Sequence, residues 1–153
     1  LLKIGEKSPN FILPRDGQGT LGLNDYKGRI LVIYFYPKDD TPGCTKEAID
    51  FTQNLANFNA AGASVIGVSK DSVSKHDKFI AKHNLEIPLL SDTTGQMCEN
   101  FEVWKEKSMY GKTYMGIERA TFLIDGDGII REIWRKVRVK GHVDTVLNAV
   151  LTL

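Results

Sequence analysis

Cysteine is scarce in this chain: 153 residues hold two, Cys44 and Cys98, 54 positions apart. That spacing is neither a disulfide framework nor a zinc pattern, and two unpaired thiols suit a reducing compartment. No second thiol follows Cys44 at Cys-x-x-Cys spacing, which argues against a thiol–disulfide oxidoreductase. Asp50 stands six residues on, where a cysteine phosphatase needs its arginine. Charge of one sign is lacking too. A net +1 gives no electrostatic case for nucleic acid, and the densest basic stretch, Arg135 to Lys140, alternates with Val137 and Val139 as an exposed strand end would. No apolar run approaches the ~20 residues that cross a bilayer, and the segment after Leu1 lacks the basic, apolar and small-residue order of a secretory leader. A soluble cytoplasmic protein with no membrane partner is the expectation. The three histidines hold no metal pattern. His76 and His83 fall two turns apart on one predicted helix without an acidic or third partner, and together with His142 they read as surface or packing residues. Asp125-Gly-Asp-Gly128 begins like a calcium loop, but Ile129 and Lys136 occupy positions five and twelve, where oxygen ligands are required. No metal or cofactor is expected.

What is present is a core: 42% of residues are hydrophobic and 25% charged, enough for one compact domain over residues 1–153. Asn10 to Leu13 and Leu21 to Leu23, separated by Pro14, Gly17 and Gly19, predict an N-terminal β-hairpin. Ile30 to Tyr36 and Ser64 to Val68 are buried strands, and Pro88 to Leu90 is a shorter one. Between the first two, Ala48, Phe51, Leu55 and Phe58 form a helical stripe that ends at the Gly62 break. Ser72 to His83 predicts a helix with a polar face, and Thr94 to Phe101 another. Glu102 to Gly116 reads as a long irregular stretch; such a segment is often functional, so Trp104, Met109, Tyr110, Tyr114 and Met115 are candidates for lining a substrate mouth, with packing the competing reading. Ala120 to Ile124 and Ile129 to Trp134 flank the Asp125 to Gly128 turn as a hairpin. Val143 to Leu151 closes the chain as a helix. This order predicts an α/β fold, a central mixed sheet covered by helices on both faces.

The chemistry concentrates in Tyr36-Pro-Lys-Asp-Asp-Thr-Pro-Gly-Cys44-Thr-Lys-Glu47. Pro37 to Asp40 end a buried strand, Thr41 can cap a helix, and Pro42 suits its first position. Cys44 therefore falls in a first helical turn, where unpaired N–H groups and the positive end of the helix dipole favour thiolate over thiol. Composition and spacing stop there, at a reactive thiol on an α/β domain.

The stretch Tyr36 to Cys44 resembles the signature of the peroxiredoxins. The longer run through Ala48-Ile-Asp-Phe51, with Lys105 to Asp125 downstream, is most similar to their bacterioferritin comigratory protein (PrxQ) branch. The resemblance covers nearly the whole chain. It implies a thioredoxin-like fold with extra N-terminal structure, and reduction of hydrogen peroxide or organic hydroperoxides through a peroxidatic Cys44 whose thiolate becomes a sulfenic acid. It also assigns roles. Thr41 hydrogen-bonds a peroxide oxygen, Pro42 shields the thiolate, Arg119 stabilises thiolate and developing oxyanion, and the Gly43 and Cys44 N–H groups add donors. Glu47 either holds Arg119 in place or is no more than a favourable first-turn acid. No cofactor is implied, the reductant is a thiol of the thioredoxin or glutaredoxin/glutathione kind, and the branch leans towards a monomer.

One departure stands out. Many members of the branch carry a resolving cysteine five residues after the peroxidatic one, and here that position is Ile49. Five helical residues span about 7.5 Å, too far for a disulfide without unwinding, and with Ile49 that redox reason to unwind is gone. The favoured expectation is a one-cysteine enzyme recycled by an external thiol. In the competing one Cys98, at a predicted helix start and read first as a packing residue, resolves Cys44; a disulfide between two protomers is a lesser version. A peroxide sensor or redox-relay protein, passing Cys44 oxidation to a partner, is the alternative function.

Overall fold

The computed structural model describes all 153 residues. A hairpin of β1 (Ile12–Pro14) and β2 (Thr20–Gly22) opens the chain, followed by a 3-10 turn over Leu23–Tyr26. The central sheet has the order β5-β4-β3-β8-β9, built from β3 (Ile30–Phe35), β4 (Ala63–Ser69), β5 (Leu89–Ser91), β8 (Ala120–Ile124) and β9 (Ile130–Trp134). β3, β4 and β5 run parallel, while β8 and β9 join antiparallel, so the sheet is mixed as expected. The helices are α1 (Pro42–Gln53), α2 (Leu55–Ala60), α3 (Val73–His83), α4 (Gln96–Asn100) and α5 (His142–Leu151). No helix is long and apolar enough to cross a membrane.

Side chains alternate across a strand, and β3 shows what that does. Val32, Tyr34 and Tyr36 face one core together with Cys44, Ala48 and Phe51 of α1, Phe79 of α3 and the valines of α5. Leu31, Ile33 and Phe35 face the other, with Met97 and Cys98 of α4, Phe101, Phe11 and Phe122. The sheet therefore stands between the two cysteines.

Three expectations need correction. The predicted helical stripe from Ala48 to Phe58 is two helices, broken at Asn54 (φ −100°, ψ 4°). The Asn54 side-chain amide donates to the Asp50 carbonyl at 2.9 Å, a local bond that competes with the helical ladder. The stretch Glu102 to Gly116 is not irregular. It holds a second hairpin, β6 (Trp104–Met109) and β7 (Lys112–Ile117), joined by Tyr110 (φ 52°) and Gly111 (φ 77°), the two left-handed residues of a tight hairpin turn. Its strands carry charge and hydroxyls where a half-buried strand alternates with apolar residues, which is why they lack a strand signature. Finally, the basic stretch after Arg135 lies beyond the strand end at Trp134, held instead by the Val137 N–H donating to the Arg119 carbonyl at 3.0 Å.

A candidate thiol site at the end of β3

The site lies where β3 delivers its carboxyl end to the start of α1, the edge at which parallel α/β sheets place their chemistry. Because β8 runs antiparallel to β3, with Phe35 opposite Ala120, the residue before β8 lands beside the residue after β3. That residue is Arg119. Its Nη2 donates to Cys44 Sγ at 3.5 Å, and its Nη1 donates to Glu47 Oε1 at 2.7 Å. Gly43 permits this approach, since a Cβ there would stand 3.2 Å from Arg119 Nη2. Cys44, Glu47 and Arg119 thus come together, with a permanent cation held against the sulfur.

Glu47 is wholly buried, so the reading of it as an ordinary first-turn acid gives way to that of an Arg119 holder. Burial raises its carboxyl to about 7, against the charge and hydrogen bond of Arg119, which pull it down. Its Oε2 has no hydrogen-bond partner. The hydroxyl of Tyr34 is a second buried, unpartnered group nearby, with its ring stacked on Phe51 at 4.6 Å. Burial, followed by the charges of Glu47 and Cys44, drives that phenol well above its ordinary value. It stays a neutral wall.

Thr41 occupies the N-cap position with extended backbone (φ −93°, ψ 155°), but its side chain makes no cap bond. Its hydroxyl instead donates to the Lys38 carbonyl at 2.8 Å. The expected cap is corrected, and with a consequence. The proton of that hydroxyl is committed, so its oxygen presents acceptor lone pairs, while the Gly43 and Cys44 N–H groups keep their freedom to meet an incoming oxygen. Pro42, at the first helical position, is exposed beside them, and Cys44 itself is 2% exposed.

Lys107 of β6 is a neighbour that the sequence did not single out. Burial, then the charge of Arg119, lowers its ammonium, while Cys44 and Glu118 act in the opposite sense. Its position opposite Tyr114 in an unrecognised strand hid it. Of the proposed mouth residues, Met109, Tyr110, Tyr114 and Met115 are exposed on this hairpin, whereas Trp104 lies under the Lys70 ammonium, 4.1 Å from the ring centroid.

Cys98 is not at the site. It is wholly buried in the opposite core, its N–H donating to Asp92 Oδ2 at 2.8 Å. Burial, with Asp92 beside it, pushes its thiol far up, so it stays protonated. His142 is a packing residue, 2.8 Å from Thr121 Oγ1 through its Nε2; burial and the nearby Arg119 hold it down at about 4, hence neutral. His76 and His83 do have acidic partners, contrary to expectation. His76 Nδ1 lies 2.7 Å from Asp39 Oδ2, and His83 Nε2 lies 2.8 Å from Asp40 Oδ1. Both acids are far away in sequence and reach α3 only through the fold.

Known proteins bear on this geometry. Residues 4–133 match the model of the AhpC/TSA family. Peroxiredoxin Bcp of Bacillus subtilis is 52% identical over 147 residues, which covers 96% of this chain and 94% of the relative. Peroxiredoxin Bcp of Xanthomonas campestris is 53% identical over 149 residues, covering 97% and 93%. Among solved structures, the bacterioferritin comigratory protein of Xanthomonas campestris, described with trapped intermediate and ligand complexes and for alkyl peroxide reduction, superposes with a TM-score of 0.89 at 48% identity, over 93% of this chain and 90% of that one. A cysteine-to-serine mutant of Xylella fastidiosa PrxQ gives a TM-score of 0.95 at 43% identity, covering 99% and 97%. The mixed sheet with its N-terminal hairpin is thus the thioredoxin-like peroxiredoxin fold. By sequence and by fold, this chain belongs to the AhpC/TSA family, in the Bcp or PrxQ branch of the peroxiredoxins.

Proposed function

We propose that the protein is a thiol-dependent peroxidase acting on hydrogen peroxide and organic hydroperoxides through Cys44. The observation that carries this is Arg119, held between Glu47 at 2.7 Å and the Cys44 sulfur at 3.5 Å, at a helix start whose donors are uncapped. The alkyl peroxide reduction described for the Xanthomonas relative supports the substrate class.

The Cys44 thiolate attacks the distal oxygen of R–O–O–H. An S–O bond forms as the O–O bond breaks, the sulfur is oxidised to Cys44–SOH, and the leaving R–O⁻ takes a proton to depart as R–OH. Thr41 Oγ1 accepts a hydrogen bond from the peroxide O–H, orienting the distal oxygen. Arg119 and the first-turn N–H groups stabilise negative charge, first on sulfur and then on the departing oxygen. An external thiol then displaces water from the sulfenic acid to give a mixed disulfide, and a second thiol releases Cys44 reduced. Thioredoxin or a glutaredoxin/glutathione system has the required chemistry, and the two free cysteines suit a reducing compartment such as the cytoplasm. Every group named comes from one chain, so a monomer suffices.

The test is hydrogen peroxide consumption with a dithiol in excess, for the parent and Cys44→Ser. Many turnovers per protein, abolished in the variant, are expected. Consumption of one equivalent followed by arrest would indicate a sensor, and unchanged consumption by Cys44→Ser would overturn the assignment of Cys44.

A further inference from the structure

The loop that carries the chain from β3 into α1 contains two consecutive acids, and each is gripped by the same face of α3. The Asp39 side chain is 6% exposed and its Oδ2 lies 2.7 Å from His76 Nδ1. Its Oδ1 accepts from the Tyr36 hydroxyl at 2.6 Å, and its backbone N–H donates to Asp71 Oδ2 at 2.8 Å. Asp40 adopts a left-handed conformation (φ 60°), which Asp takes more readily than most residues other than glycine. Its carboxylate meets Lys82 Nζ at 2.7 Å and His83 Nε2 at 2.8 Å. His76 and His83, seven residues apart, share one side of α3.

His76 is the inner of the two grips and is wholly buried. Its Nε2 lies 3.0 Å from the Leu90 carbonyl. A carbonyl and an ionised carboxylate only accept hydrogen bonds, so a ring placed between them carries hydrogen on both nitrogens. This placement favours the protonated ring. Burial works against the charged ring, but the hydrogen bond and charge of Asp39, with Asp71 behind it, more than offset this and raise its affinity for the proton. A salt bridge sealed so far from water is weak evidence for stability. It does fix position. The Lys38 carbonyl, one residue before Asp39, is what holds the Thr41 hydroxyl.

Resting on the assignment of Cys44 above, we propose that His76 is a positioning residue for peroxide reduction: by anchoring Asp39 it sets the Lys38–Asp40 loop, and through it the Thr41 hydroxyl and first turn of α1, against the Cys44 sulfur. α3 is then a template for the site.

The experiment compares two reactions of the same thiol in reduced protein, with hydrogen peroxide and with iodoacetamide. Peroxide needs an aligned acceptor and donors; alkylation needs only a reachable thiolate. In His76→Leu, peroxide reactivity is expected to fall at least about tenfold while alkylation changes less than about twofold, since a misplacement near 1 Å can cost on the order of a hundredfold in an aligned reaction. Should His76→Leu fail to fold, Asp39→Asn, which keeps shape and removes the charge, carries the same comparison with the same expected direction. An unchanged ratio of the two rates in the folded variant overturns the proposal. Cys44→Ser is run alongside: peroxide reactivity that persists there refutes the Cys44 assignment and with it the proposal built on it, whereas its loss there with an unchanged ratio in the α3 variant refutes only the role of His76.

Discussion

Replacing Arg119 by Met removes the cation beside the sulfur and leaves a side chain of similar reach. The bond lost to Cys44 is 3.5 Å long and charged. Hydrogen bonds to charged groups are worth about 1.5–3 kcal/mol, and with ~1.4 kcal/mol per tenfold in rate the peroxide step should slow by about 10- to 150-fold. Glu47 loses its partner at the same time. Burial already raises its carboxyl to about 7 while Arg119 pulls against it, so without Arg119 the carboxyl rises further and is neutral at pH 7. An uncompensated buried charge is thereby avoided, and the stability loss stays at that of an unsatisfied polar group, about 1–3 kcal/mol. Stopped-flow mixing of reduced variant with excess hydrogen peroxide reads the rate, and urea unfolding reads the stability. A rate within about twofold of the parent, under ~0.5 kcal/mol of barrier, would refute the claim that this guanidinium acts on the reacting atoms.

Cys98→Ser should leave turnover with an external dithiol unchanged, because the sheet separates Cys98 from Cys44. Intact mass after one equivalent of peroxide should show added oxygen in parent and variant alike, and loss of two hydrogens in the parent alone would contradict this. Glu47 makes stability depend on pH. Its carboxyl is raised on folding from its ordinary value of 4.5 to about 7, so its contribution is fully present below pH 4.5 and is lost as pH climbs through about 7. His76, raised as well, acts in the same sense, so the Glu47 share is the part of the fall in urea midpoint between pH 5 and 8 that Glu47→Gln removes. Gly43→Ala sets a Cβ 3.2 Å from Arg119 Nη2 at a helical position that Ala favours by about 1 kcal/mol. Peroxide reactivity should fall while the thermal midpoint does not, and a parallel loss of both would count against the steric argument.

The buried strands β3, β4 and β8 were legible because each is a short run of branched and aromatic residues between turn signals. Cys44 was legible because its neighbours Thr41 and Pro42 announce a helix start. The second hairpin was not, since Lys105 to Ser108 and Lys112 to Thr113 are polar on both faces, and only Tyr110-Gly111 marked a turn. Thr41 differs from its sequence reading by a single bond: it stands at the N-cap position, but its hydroxyl donates to the Lys38 carbonyl and not to the helix start. Partnerships across long separations left no trace in local pattern. Asp39 with His76 and Glu47 with Arg119 lie 37 and 72 residues apart, and no local pattern in composition or spacing couples them; the Arg119 role came from family resemblance alone.

The near-complete enclosure of Cys44, at 2% exposure, bears on how the enzyme is recycled. A peroxide is small enough to enter such a recess, but a folded protein carrying its own thiol is not. Ile49 packs α1 onto the core and supplies no chemistry that would unwind it. Recycling by a protein reductant must therefore wait for a local opening of the first helical turn, and its rate is multiplied by the fraction of time that turn is open. The two halves of the catalytic cycle then respond oppositely to rigidity. A substitution that locks the helix start preserves oxidation and starves reduction, so that under sustained peroxide the sulfenic acid accumulates and moves on to the irreversible sulfinic form.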